Sequence, residues 1–243
     1  MILTVATWNI HAGIGRDRRL DLARIWRVIE LIDADLIGLQ EVVLTDLHDD
    51  LLIRWAQAAG YATHFVTTRA GPLPGSYFGN MLLSRLPLTE QPSLDLSVPG
   101  RERRQLLCAE VTHQSQRLAI WVAHLGLKRW ERRYQVERIH AHAHAHRAGD
   151  HPTHRLLIGD FNEWWPGPGT LRSLHQSFRR LNTPASFPAH RPFMALDAIW
   201  LAGAIEFIRQ DAIDHPLVRI ASDHRPIRAQ IVLADTSKLG SHA

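Results

Sequence analysis

The run Leu156-Leu157-Ile158 passes directly into Gly159-Asp160-Phe161-Asn162, and Asp197-Ala198-Ile199-Trp200 lies shortly before Ser222-Asp223-His224-Arg225-Pro226. Apolar runs this short read as buried strands. When such a strand stops in carboxylate, amide or imidazole groups, those groups cannot belong to the core. They are placed where a hard cation and a phosphate can meet, as metal-assisted phosphoester hydrolysis requires.

The rest of the chain follows the same grammar. Ile2 to Ile10 reads as a strand broken by Gly13 and Gly15, and Leu36 to Leu39 as a short buried strand ending at Gln40-Glu41. Further strands are expected at Tyr61 to Thr67, Phe78 to Ser84, Leu106 to Thr112, Leu118 to Leu125, Arg155 to Ile158, Leu196 to Leu201 and Ile227 to Leu233. Helical spacing appears in Asp21 to Ile32, through Leu22, Ile25, Trp26, Ile29 and Ile32, and in His48 to Ala59, stopped by Gly60. Trp130 to Ala148 reads as a long amphipathic helix with Glu/Arg pairs on its outer face, and a short helix is expected near Leu171 to Ser177. No internal repeat is visible. Strands with interspersed helices imply an α/β layered fold with two packed sheets.

With 243 residues, 45% of them hydrophobic, the chain can form one large core. No Pro/Gly/Ser-rich linker divides it, so one domain is expected over residues 1–234, with a frayed tail at 235–243. The formal charge of +4 suits an anionic substrate without demanding nucleic acid. Cys108 is the sole cysteine, which excludes an intrachain disulfide and fits a reducing compartment. Met1 to Ile10 lacks a signal peptide's basic region, and no apolar run approaches the ~18–20 residues of a membrane span. The expectation is a soluble, cytoplasmic protein with no stable membrane insertion and no implied protein partner.

Seven segments occur in a fixed order: Trp8-Asn9-Ile10, Gln40-Glu41, Gly79-Asn80 with Leu83-Ser84-Arg85, Ala123-His124-Leu125, Gly159-Asp160-Phe161-Asn162, Leu196-Asp197 and Ser222-Asp223-His224. Together they resemble the successive motifs of the endonuclease/exonuclease/phosphatase superfamily, which includes deoxyribonuclease I, apurinic endonucleases, neutral sphingomyelinases and inositol polyphosphate 5-phosphatases. The resemblance spans residues 8 to 226. It implies an α/β fold that is a four-layer α/β/β/α sandwich of two packed, mostly antiparallel sheets flanked by helices, with the site at one end of the sheets. It also implies a requirement for Mg²⁺ or Mn²⁺.

On that resemblance Glu41 is the leading metal ligand, since Mg²⁺ prefers one or two carboxylates. Alone, it would read as a surface glutamate. Asn9 would offer a carbonyl oxygen to the ion, and Asp223 a further carboxylate. Asp160 and Asn162, two apart, would point the same way if the chain stays extended. Either Asp160 or His224 can then act as the base, with Asn162 donating to a phosphate oxygen. Asp197 would hydrogen-bond His224 and fix its tautomer. His124 resembles the second histidine of the hydrolytic members, which apurinic endonucleases usually lack. The match therefore points towards the deoxyribonuclease-, sphingomyelinase- and phosphatase-like branches. Asn80 would position phosphate or organise Glu41 and His124, and Arg103 or Arg104 would contact it. Where apurinic endonucleases carry a metal-assisting Asp two residues after the strand-one Asn, this chain has His11, which lowers metal affinity or faces the substrate.

His124 to Leu127, Glu131-Arg132-Arg133, Trp164 and Phe187-Pro188 look like those of a small bacterial subgroup. Trp164 and Trp165 read either as a lip for a base or acyl chain or as packed loop aromatics. His140, His142, His144 and His146 form two i, i+4 pairs on different faces, with no supporting carboxylate cluster. The resemblance thus implies a divalent-metal phosphodiesterase acting on nucleic acid or a phospholipid headgroup. A phosphomonoesterase and a non-catalytic module on the same fold are the alternatives.

Overall fold

Near-continuous apolar runs in the central strands build two sheets buried on both faces, one against the other sheet and one against helices. The computed structural model describes residues 2–114, 116–146, 151–165 and 169–234. In chain order its elements are β1 (Leu3–Asn9), α1 (Leu22–Ile32), β2 (Leu36–Leu44), α2 (Leu51–Ala58), β3 (Ala62–Ala70), β4 (Tyr77–Ser84), β5 (Leu88–Asp95) and β6 (Gln105–His113). They continue as β7 (Gln116–His124), α3 (Arg129–Ala145), β8 (His154–Asp160), β9 (Arg179–Arg180), β10 (Asp197–Ala202), β11 (Ile205–Ala212), α4 (Val218–Ala221) and β12 (Ile227–Leu233). The tail expected at 235–243 lies outside the described residues.

Each sheet has six strands, in the orders β11-β12-β1-β2-β4-β3 and β5-β6-β7-β8-β10-β9. The central pairs, β1 with β2 and β7 with β8, are parallel, and the other neighbours are antiparallel. A helical crossover joins each parallel pair, as parallel neighbours require. The two sheets share one strand order, a likeness of topology that leaves no repeat in the residues.

Leu3, Val5 and Leu36 meet Leu107, Ile120, Val122 and Ile158 between the sheets. Outside the first sheet, Trp8 and Ile37 pack on Ile25 and Ile29 of α1 and Leu52 of α2. Outside the second, Trp121 and Leu157 pack on Val136 and Ile139 of α3. The layers are thus α/β/β/α, as the family resemblance implies. Each buried aliphatic side chain contributes roughly 1.5–3 kcal/mol, and the sum offsets the several kcal/mol that each buried charge at the sheet ends costs.

Three local expectations need correction. β2 does not stop at Gln40-Glu41: its pairing with β4 resumes at Val42↔Gly79 after a bulge. Glu131 and Arg132 are not on the outer face of α3 but buried. Glu131 accepts from Arg101 Nε at 3.2 Å, and Arg132 reaches Glu163 at 3.2 Å and the Leu127 carbonyl at 2.8 Å. β5 and β11, both at sheet edges, were not expected as strands.

Candidate active site

The parallel pairs end at one mouth. β1 ends at Asn9, β7 at His124 and β8 at Asp160, with Asn9 in register with Gln40, and both His124 and Asp197 in register with Asp160. In sheets with parallel strands, ligand sites gather outside the carboxyl ends. The two backbones approach so closely that a Cβ on Gly159 would land on the Ala123 carbonyl, and Gly159 holds φ at +149°. Only glycine delivers Asp160 to this position.

Glu41 arrives by a different device. Gln40 and Glu41 together oppose Asn80 across the bulge, and Glu41 adopts φ 56°. Bulges re-aim side chains next to active sites. Gln40 turns away, bonding Thr7 Oγ1 at 3.0 Å and the Gly38 carbonyl at 3.1 Å. Glu41 remains partly exposed and faces the mouth.

The Asn9 amide nitrogen donates to Glu41 Oε1 at 2.9 Å and to Asp160 Oδ2 at 3.1 Å, while its oxygen accepts from the His11 N–H at 2.9 Å. Asp160 is the hub. Its Oδ2 lies 3.7 Å from Nε2 of both His124 and His224, and its Oδ1 accepts from the Asn162 N–H at 2.9 Å. At that separation neither Nε2 is hydrogen-bonded to Asp160, so both remain free to bond another oxygen. His124 Nε2 is also 3.9 Å from Glu41 Oε1.

The two histidines carry different charge. Burial, joined by the charges of Arg104 and His224, drives His124 well below its ordinary value. The Arg104 guanidinium donates to His124 Nδ1 at 3.1 Å, so the neutral ring directs Nε2–H at the carboxylates. His224 donates from Nδ1 to Asp197 Oδ2 at 2.7 Å. Burial opposes its charge, but the Asp197 and Asp160 carboxylates prevail and push it up to about 10. Asp160 is raised above the carboxylate range, chiefly by burial.

The loop bearing His224 is pinned to the end of β1. Ser222 Oγ donates to the Asn9 carbonyl at 2.7 Å, and Trp8 Nε1 donates to the His224 carbonyl at 3.0 Å. Asp223 Oδ1 lies 3.3 Å from Ser222 Oγ, and its charge adds to those raising His224. Phe187 packs against the His224 ring with centroids 5.0 Å apart, and Trp164 packs edge-on to Phe187 at 5.6 Å. Trp164 thus joins a wall beside the histidine. Trp165 is exposed.

The remaining expected residues divide. Arg104 is buried against His124, whereas Arg103 faces solvent. Asn80 ties the sheets together by donating to the Gln105 carbonyl at 3.0 Å. The chain does not stay extended after Asp160: Asn162 has φ 49° and its amide donates to the Leu125 carbonyl at 2.9 Å. His11 folds onto its own loop, with Nδ1 2.9 Å from the Ile14 carbonyl. Glu102 braces the arginine behind His124. It bridges Arg69 at 2.6 Å and Arg104 at 3.1 Å, and no motif announces it.

The donor set suits a hard cation. Asp160, Asp197 and His224 place ligand atoms within 4.8 Å of one another, and Asp197 Oδ1 is buried without a hydrogen-bond partner among the described residues. Since His224 Nδ1 is committed to Asp197, the free ligand atoms are mainly carboxylate oxygens, Glu41 included. Oxygen-rich sets of this kind favour Mg²⁺ or Mn²⁺ over softer metals.

A sequence model of the Endonuclease/Exonuclease/phosphatase family matches residues 6–224. The uncharacterized protein YbhP of Escherichia coli K12 is 29% identical over 246 residues, covering 94% of this chain and 96% of that protein. An endonuclease/exonuclease/phosphatase from Beutenbergia cavernae superposes with TM-score 0.77 at 23% identity, over 96% of this chain and 72% of that one. ANGEL2, a 2′,3′-cyclic phosphatase, superposes with TM-score 0.76 at 13% identity, over 95% of each chain. At such identities the structures establish likeness of fold.

Proposed function

Because the chain belongs to the Endonuclease/Exonuclease/phosphatase family, we propose that it is a divalent-metal-dependent hydrolase of phosphodiesters, acting on nucleic acid or a phospholipid headgroup. The observation that supports this best is the Asp160 carboxylate, met from three sides by Asn9 and the two Nε2 atoms at one mouth. Glu41 would hold Mg²⁺ or Mn²⁺, with Asp223 alongside. Asn9, whose oxygen is taken by the His11 N–H, would hold Glu41 and Asp160 in place through its amide nitrogen instead of offering a carbonyl oxygen to the ion. When bound, such an ion neutralises charge on the phosphate.

The protein's own groups supply the rest. Asp160, raised by burial, takes a proton from water as the water oxygen attacks phosphorus. The bond from phosphorus to the leaving alcohol's oxygen breaks, and that oxygen takes a proton from solvent. His224 already carries its proton, so it serves as a cationic donor to a phosphate oxygen rather than as the base. His124 donates from Nε2–H, its tautomer fixed by Arg104. Asp197 positions His224, and Asn162 holds the turn after Asp160. Asn80 and Arg104, both buried, would brace the site from within, and Arg103 and His11 would contact substrate only outside it.

Hydrolysis of bis-p-nitrophenyl phosphate with Mn²⁺ tests the reading. Asp160→Asn and His224→Gln should each lower turnover by about 10²-fold or more with the fold intact by circular dichroism. Turnover retained in either variant would overturn the assignment.

A further inference from the structure

The loop that leaves β1 at His11 returns to α1 through Leu20, 62% exposed. Beside it runs a groove of about 580 Å³ walled by Ala12, Ile14, Leu20, Val43, Leu51 and Leu73. Two of its walls lie close along the chain to residues of the active-site mouth. Val43 lies two residues beyond Glu41 on β2, a step of roughly 7 Å, and Ala12 follows Asn9 by three.

Its chemistry is aliphatic. Among the described residues none that lines it is aromatic, whereas nucleobases are gripped by stacking on rings. Its two carboxylates are already engaged: Asp50 caps α2 and accepts from Thr45, and Asp49 faces Arg54 at 3.6 Å. Leu73 is 52% exposed, Leu51 44% and Ile14 38%, so with Leu20 four large aliphatic side chains meet water around one cleft. Clustered exposure of this kind marks an interaction surface.

The same loop carries charge. Arg16, Arg18 and Arg19 are exposed next to Leu20. The loop is braced from within: Arg24 holds Asp17 at 2.7 and 3.1 Å and the Arg19 carbonyl at 2.9 Å. A fixed turn showing leucine among arginines suits the boundary between anionic headgroups and acyl chains.

We propose that this groove is an acyl-chain subsite of the active centre, and that the substrate is a phospholipid phosphodiester drawn from an anionic bilayer surface. The proposal rests on the phosphodiesterase reading above and names its substrate class. The hydrocarbon lies over Val43 between Leu20 and Leu73, while the diester reaches Asp160 and undergoes the hydrolysis already written.

The test uses the full chain with Mn²⁺, vesicles of phosphatidylglycerol and phosphatidylcholine, and bis-p-nitrophenyl phosphate as a soluble diester. The wild type should sediment with the vesicles and hydrolyse their lipid. Leu20→Glu and Leu73→Glu, both on exposed positions, should each lower the ratio of vesicle to soluble-diester turnover by about tenfold or more. Turnover of the soluble diester with none of the vesicles would overturn the proposal alone, as would an unchanged ratio in both variants. So would cleavage of plasmid DNA with intact vesicles. Failure to turn over either substrate would overturn the phosphodiesterase reading as well.

Discussion

At Asn9 an amide nitrogen stands between two carboxylates, 2.9 Å from Glu41 and 3.1 Å from Asp160. Asn9→Asp replaces that donor with a third negative charge, so the cation-free protein should melt several degrees lower and recover when Mg²⁺ or Mn²⁺ is added. Equal melting temperatures without metal would contradict the placement. Arg104 acts through His124, whose Nδ1 it occupies. Arg104→Met should lower kcat about 10-fold or more and let His124 titrate nearer its ordinary value, followed by NMR of the imidazole protons. The polar strand ends were legible in the sequence because Asn9, His124 and Asp160 each terminate an apolar run. The choice between Arg103 and Arg104 was not, because they precede β6, where alternation assigns no side. Nor was the direction in which the Asn9 amide points, which its neighbours' carboxylates set.

The β2 bulge places Glu41 at φ 56°, a conformation that costs a non-glycine residue of order 1–3 kcal/mol. Glu41→Gly should therefore leave the metal-free protein as stable as the wild type or more so, while weakening Mn²⁺ binding by calorimetry. Gly159→Ala should do the opposite. Its Cβ meets the Ala123 backbone, and a loss of more than about 2 kcal/mol in urea unfolding is expected. The sequence showed β2 as ending at Glu41 because a bulge carries no residue signature of its own. It hid β5 and β11 for another reason. Leu-Thr-Glu-Gln-Pro-Ser-Leu-Asp and Ile-Glu-Phe-Ile-Arg-Gln-Asp-Ala are edge strands, largely wet, and lack the apolar run of a buried strand. Glu131 and Arg132 read as surface residues because their partners, Arg101 and Glu163, lie 30 and 31 residues away.

Across the whole molecule the two sheets share one strand order, and each contributes the carboxyl ends of a parallel pair to a single mouth. Layering was legible because strands and helices alternate; the shared strand order was not, since pairing between distant segments leaves no local trace. Among the described residues no helix is long and apolar enough to cross a membrane. The combined field of the mouth sets a pH profile. Below about 7 Asp160 takes up its proton and ceases to be a base, and above about 10 His224 loses the proton it donates. kcat/KM should therefore be bell-shaped, with a bound cation drawing the acid limb to lower pH. Asp197→Asn should move the alkaline limb down, because the carboxylate that favours the cation is gone. An alkaline limb left in place would show that Asp197 does not act through His224. The most direct test of the whole account is a Mn²⁺ titration of the chelator-stripped protein, following bis-p-nitrophenyl phosphate hydrolysis in the wild type and in Glu41→Gln. No turnover is expected without the ion, with saturation on its return and a half-saturating concentration raised about tenfold or more in the variant. Turnover that survives chelation, or titration curves that coincide, would contradict that expectation.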